Sequence, residues 1–255
     1  MVSASPVSAF PDNAAEWDIR VELAALYRLV ALYGWDDAIF THISARIPGP
    51  EHHFLINPYG QFFEEITASS LVKVGMDGKV IGESPYQVNP AGFTIHSAIH
   101  MARSDARFVI HLHANAGVAV AAQVEGLLPL TQHALIVMPH LAYHDYEGIA
   151  LNHDERERIV SDLGSRNLMI LRNHGTLAVG ETAAQAWLNI YYLEKACQQQ
   201  VAALSAGTSG ILLAPDSAQE EVRRQVSGAG RGSVSALVWP GLRRQLDRHL
   251  PGYDC

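Results

Sequence analysis

The sequence predicts a layered α/β/α domain built on a mostly antiparallel central sheet. Apolar positions Val21, Leu23, Ala24, Leu26, Leu29, Val30 and Leu32 recur at the helical period, as do Ala184, Trp187, Leu188, Ile190, Tyr191, Leu193, Ala196 and Val201 much later in the chain. Between these runs lie short β-rich stretches closed by Pro-Gly, Asp-Gly and Asn-His-Gly breaks, the pattern of tight turns between strands. Helices on either side of such strands must bury their apolar stripes against the sheet, which makes the layers. No Gly/Ser/Pro-rich linker or charge block interrupts the periodic segments. We therefore expect a flexible lead-in over residues 1–15 and one domain over 16–255, with its core at 16–206 and a helical tail at 207–255.

In order, the first helix runs from Glu16 to a stop at Gly34, with Asp12 or Asn13 as its cap. Residues 39–47 alternate and end at Pro48-Gly49-Pro50. Residues 54–57 form a second strand before the Pro58-Tyr59-Gly60 turn, and the two pair antiparallel. Residues 71–74 and 79–81 make a hairpin around Asp77-Gly78, where Gly supplies positive φ. Asn89 and Pro90 open a helix, Pro standing where its missing N–H does no harm. His96 and His100, four apart, share one face of it. Residues 108–112 are a buried strand, followed by a small-residue helix over 115–124. The apolar runs 127–130, 134–138 and 141–143 read as strands, and 154–163 as a helix capped by Asn152 or Asp154. A second buried strand over 168–172 breaks at Asn173-His174-Gly175 and resumes over 176–179. The longest helix spans 181–206; the tail holds a polar helix at 217–225, a Gly-rich break at 228–232 and an amphipathic helix at 239–250.

Composition narrows the function. A net charge of −8 without any basic run excludes a nucleic-acid partner, which needs a positive stripe against phosphates. Two cysteines, Cys197 and Cys255, give no disulfide framework and fit a reducing cytoplasm. With neither a leader pattern nor a membrane-length apolar run, the expectation is a cytoplasmic protein without a membrane partner.

The chemistry concentrates in histidine, of which there are 13. Strand side chains alternate, so His111 and His113 emerge on the same side of their strand, with Leu112 turned away. Neutral imidazoles so spaced suit a divalent transition metal; they equally suit a hydrogen-bonded pair at a strand end. His174, in the strand-to-strand break, is well placed to aim a third ligand. Three such ligands would leave a coordination position free for a substrate oxygen. Spacing alone does not bring His174 to the other two.

The 89–126 run, the Leu168-Met169-Ile170-Leu171-Arg172-Asn173-His174-Gly175-Thr176 segment and the Thr41-His42-Ile43-Ser44-Ala45-Arg46 strand together resemble the class II aldolase/adducin family. The similarity covers residues 16–206. Residues 90–100 and 142–148 are written as in its adducin-type branch. The resemblance implies a divalent metal, zinc before manganese or iron, on His111, His113 and His174. It also implies a homotetramer with active sites between subunits. It carries departures too: where the aldolases have an acid/base Glu, this chain has Gly92. Their phosphate-holding Asn, Thr-Gly turn and paired serines are here His42, Tyr59-Gly60 and Pro90-Ala91. Loss of these donors points to a small non-phosphorylated hydroxy or keto acid, held near His42, Tyr59 and Gly60, with Arg46 or Arg172 on its carboxylate. His133, near the position of an aldolase Tyr that reaches across the subunit boundary, or His96, one helical turn from Gly92, would then move the proton. The expected activity is metal-dependent carbon–carbon cleavage, by aldol cleavage or decarboxylation through an enediolate-like intermediate. A non-haem iron oxygenase and a non-catalytic assembly module resembling an adducin head are the alternatives.

Overall fold

A computed structural model of the chain describes residues 14–49, 52–148, 154–228 and 231–255. The helices are α1 (Ala14–Leu32), α2 (Pro90–Ala102), α3 (Asn115–Ala121), α4 (Gln132–Val137), α5 (Glu155–Leu163), α6 (Ala183–Leu204), α7 (Asp216–Gly228) and α8 (Arg231–His249). The strands are β1 (His42–Arg46), β2 (Phe54–Ile56), β3 (Val72–Val74), β4 (Phe108–Leu112), β5 (Leu141–His144), β6 (Leu168–Leu171) and β7 (Gly175–Gly180). They form one sheet in the order β3-β2-β1-β4-β7-β6-β5, antiparallel throughout except for the parallel β5–β6 pair. This is the layered, mostly antiparallel architecture that the turn pattern predicts.

Strand alternation divides the core. Ile43, Ala45, Ile110, Leu112 and Ile170 face α1, α3, α6 and α8. Val109, Met169, Leu177 and Val179 face α2 and α5, which contribute Ile95, Ile99, Ile159 and Leu163. On the first face Trp187 is fully buried and stacks on Trp35 at 5.6 Å; emptying such a site by substitution to Ala costs about 3–5 kcal/mol. His42 pairs with His111 across the β1–β4 ladder, so both imidazoles rise toward α2.

Several boundaries differ from the sequence expectation. Residues 134–138 belong to α4 and its continuation, not to a strand, because the Thr131 side chain accepts the Ala134 N–H at 3.3 Å and caps a helix. A short apolar run has no period by which to tell the two apart. Residues 127–130 form no strand. The 79–81 arm of the hairpin reduces to a single Val74–Val80 bridge, although Gly78 has the expected positive φ of 81°. β1 starts at His42 rather than at Ile39, since Ala38 (φ 48°) and Thr41 (φ 65°) interrupt the extended backbone before it. α8 begins eight residues before Trp239 and continues through Pro240. The Asp12, Asn13 and Asn152 caps, the lead-in up to residue 13, and residues 229–230 of the Gly-rich break lie outside the described residues.

The tail is fastened to the core: Arg243 donates to Glu22 of α1 at 2.8 Å and to the Tyr253 hydroxyl at 3.0 Å, and Tyr253 is buried. Among the described residues no helix is long and apolar enough to cross a membrane.

Candidate metal centre

The site is built at the end of β4. His111 is buried, and its Nδ1 lies 3.1 Å from the Thr176 carbonyl on the neighbouring β7. A carbonyl only accepts, so Nδ1 carries the proton and Nε2 keeps its lone pair. His113, just past the strand, lies with Nδ1 at 2.9 Å from an Asp37 carboxylate oxygen, which fixes its tautomer in the same sense. The Nε2 atoms of these rings stand 3.2 Å apart. Two lone pairs so close repel each other unless a proton or a cation lies between them.

His174 joins from the turn between β6 and β7. Leu171 and Gly175 close that turn, and Asn173 takes a left-handed φ of 54° within it. Gly175 is required there: a Cβ would lie 2.3 Å from the Leu112 carbonyl oxygen, so only Gly lets β7 close on β4. As a result the His174 ring centroid lies 4.8 Å from that of His111 and 4.9 Å from that of His113. One ligand atom from each ring lies within 4.8 Å of the others. Tetrahedral nitrogens on ~2.1 Å bonds stand ~3.4 Å apart, so small ring rotations complete the fit. Burial, followed by the neighbouring His113 and His144, pushes His174 down to about 4. Burial foremost also holds His111 well below the usual imidazole value. Both rings are therefore in the neutral, ligating form near pH 7.

The other predicted residues distribute unevenly. His42 and His96 are buried beside the triad, with His42 Nδ1 at 2.9 Å from His96 Nε2 and the His42 ring 5.2 Å from that of His111. Tyr59 and Gly60 form an exposed turn at the His42 end of the sheet, since Ile56, three residues before Tyr59, pairs with Ser44. Arg46 sits at the opposite end of β1, ~13 Å along the strand from His42, and contacts His52. Arg172 stacks on the Tyr143 ring at 4.4 Å and donates to the Gln123 carbonyl at 2.8 Å. It lines an open groove of about 590 Å³ with Asp145, Tyr146 and Asn173, next to His174. His133 lies in the α4–α6 layer, with Nδ1 at 3.1 Å from Gln199 Nε2, and is not brought to the triad of its own chain.

Two site residues carried no sequence signal. Asp37 arrives from a loop 76 positions away, and Thr176 acts through its backbone. Partners of this kind orient ligating imidazoles and raise their basicity.

Residues 21–201 match the class II aldolase and adducin N-terminal domain. The chain belongs to that family. It is 70% identical over 94% of its length to a putative aldolase class 2 protein of Caulobacter vibrioides, covering 93% of that protein. It is 44% identical over 90% of its length to rat alpha-adducin, of which it spans 33%. Its fold superposes on an aldolase II superfamily protein from Pseudomonas syringae with a TM-score of 0.91 at 48% identity, covering 95% of this chain and 97% of the other. It superposes on an L-fuculose 1-phosphate aldolase from Glaciozyma antarctica with a TM-score of 0.79 at 27% identity, again over 95% and 97% of the two chains.

Proposed function

We propose that this protein is a divalent-metal-dependent carbon–carbon lyase acting on a small, non-phosphorylated hydroxy or keto acid in the cytoplasm. The observation that supports this best is the pair of imidazoles whose protons are drawn outward by Thr176 and Asp37, leaving two lone pairs 3.2 Å apart with a third ring beside them. Such a donor set fits zinc, with iron and manganese next. A bound ion would supply Lewis acidity toward a carbonyl or carboxylate oxygen, as aldol cleavage and decarboxylation both require. Around it, His111 and His113 are oriented from behind, His174 closes from the β6–β7 turn, and Tyr146, on the wall of the neighbouring groove, stands with its ring 6.4 Å from that of His174. Arg172 puts a guanidinium on the wall of that groove for the substrate carboxylate. The similarity to an L-fuculose 1-phosphate aldolase supports the reaction class, while Gly92 and His42 argue against a phosphate in the same position. A homotetramer with sites at subunit boundaries would let His133 serve a neighbouring site, a role that its own chain does not give it.

The similarity to alpha-adducin favours a second reading, a non-catalytic assembly module. One experiment separates the readings. Metal content is measured by mass spectrometry on purified protein, and hydroxy and keto acids are then screened for aldehyde, carbon dioxide and oxygen-consumption signals, with phosphorylated analogues alongside. Stoichiometric metal and cleavage of an unphosphorylated acid support the lyase. Oxygen uptake with iron supports an oxygenase on the same scaffold. A protein indifferent to zinc, manganese and iron supports the module, and preference for a sugar phosphate overturns the substrate class.

A further inference from the structure

A file of buried polar groups leads away from the triad under α2. His42 Nδ1 lies 2.9 Å from His96 Nε2, and His96 Nδ1 lies 2.5 Å from Ser44 Oγ. Ser44 Oγ lies 2.7 Å from His100 Nε2, and His100 Nδ1 lies 2.9 Å from the Ala106 carbonyl oxygen. All four side chains are buried. With neutral rings, this geometry has only one consistent proton arrangement. The Ala106 carbonyl can only accept, so His100 carries its proton on Nδ1 and its Nε2 must accept. The Ser44 hydroxyl then donates to His100 and accepts from His96 Nδ1–H. His96 Nε2 is left as an acceptor, and among the described residues the donor it meets is His42 Nδ1–H. The remaining lone pair falls on His42 Nε2.

We propose that His42 Nε2 is a fixed hydrogen-bond acceptor beside the triad, set in that state by the Ala106 carbonyl through His100, Ser44 and His96, and that it selects ligands bearing a hydroxyl. All three rings are buried, which disfavours a second ring proton and keeps the direction of the file. The His42 ring lies against the bare Cα of Gly92 and beside His111, at the wall of the triad. An acceptor in that position attracts a substrate O–H and repels an oxyanion that has no proton to give. Within the hydroxy or keto acid class this favours the hydroxy acid, and it gives a physical reason for the absence of a phosphate. In this scheme His96, Ser44 and His100 are positioning residues. The ligand half of the proposal rests on the metal reading above; the proton arrangement does not.

The test has two arms. In metal-free protein, two-dimensional nitrogen–proton NMR of the imidazoles should show His42, His96 and His100 all as Nδ1–H tautomers, the minority form in free histidine. In Ser44→Ala, His100 should keep that form while His42 and His96 become mixtures. Any of the three in the Nε2–H form in the unmodified protein, or an unchanged His42 in Ser44→Ala, overturns the relay. In the second arm, zinc-loaded protein is titrated with lactate and pyruvate. Ser44→Ala should weaken lactate about five- to tenfold, the worth of one hydrogen bond of about 1–1.4 kcal/mol, and leave pyruvate unchanged. Equal loss for both acids, or no lactate binding by zinc-loaded protein, overturns the ligand assignment. Failure to take up zinc at all overturns the metal reading alone, because the tautomer pattern is measured without metal.

Discussion

Gly92 and His42 act as one unit, and the Gly92→Ala variant exposes it. A Cβ at residue 92 would lie 2.5 Å from His42 Cδ2, 2.8 Å from Cγ and 3.0 Å from Nε2, closer than real carbon contacts come. The ring cannot easily yield, because His96 holds its Nδ1 at 2.9 Å and the His111 ring stands 5.2 Å away. Overpacking of this kind costs about 1–3 kcal/mol. Replacing Gly by Ala in a helix returns up to about 1 kcal/mol, less here because residue 92 is in the first turn of α2. Gly92→Ala should therefore destabilise the protein by about 0.5–2 kcal/mol. In a His42→Ala background the clash disappears and only the helical gain remains, so the same substitution should stabilise. A double-mutant cycle read by urea denaturation, with unchanged m-values, measures the reversal as a coupling of about 1–3 kcal/mol. Additive effects, or a Gly92→Ala protein as stable as the parent, would refute the packing argument. The same contact explains why a Glu at this position, as in the aldolases the sequence resembles, is incompatible with His42 unless both residues change.

Other perturbations follow from the same geometry. His174→Ala should abolish stoichiometric metal binding, and Asp37→Ala should weaken it by about tenfold, the low end for an outer-shell partner because Asp37 is half exposed; competition with a chromogenic chelator measures both, and an unaltered affinity in either variant counts against the site. Burial depresses His42 to about 3 and His100 to about 4, so the unfolded chain takes up protons first as pH falls. Stability should then drop as pH goes from about 6.5 toward 4, and a flat urea midpoint across that window would show that these rings are not held neutral. Glu194 has the opposite sign: burial raises it to about 7, the Thr176 hydroxyl donates to Oε1 at 2.5 Å, and Oε2 has no partner among the described residues. The folded state thus binds the extra proton between the two pKa values, so stability from this group is lost as pH rises through about 7. Glu194→Gln should gain on the parent protein between pH 5 and pH 8 in parallel denaturations, and a constant difference would show that the carboxyl is already ionised.

Much of the architecture was legible because periodicity is a local property. The stripes of α1 and α6, the Asp77-Gly78 turn and the Asn173-His174-Gly175 break all report the backbone beneath them. Legibility failed at 134–138, where a short apolar run fits a buried strand and a buried helix equally and one capping hydroxyl on Thr131 decides. It failed again at Arg46, which shares a strand with His42 yet lies at its far end.

By itself, the sequence determined the chemical inventory: two histidines two positions apart at the end of a strand, a third in a break, a glycine where the aldolases it resembles carry an acid, and helices to cover a sheet. Tertiary structure alone decided which nitrogen of each ring is free. That choice depends on the Thr176 and Ala106 carbonyls and the Asp37 carboxylate, acceptors brought up by strand pairing and loop closure from distant parts of the chain. A hydrogen bond acts over about 3 Å of space and takes no account of separation along the chain, so no residue spacing encodes it.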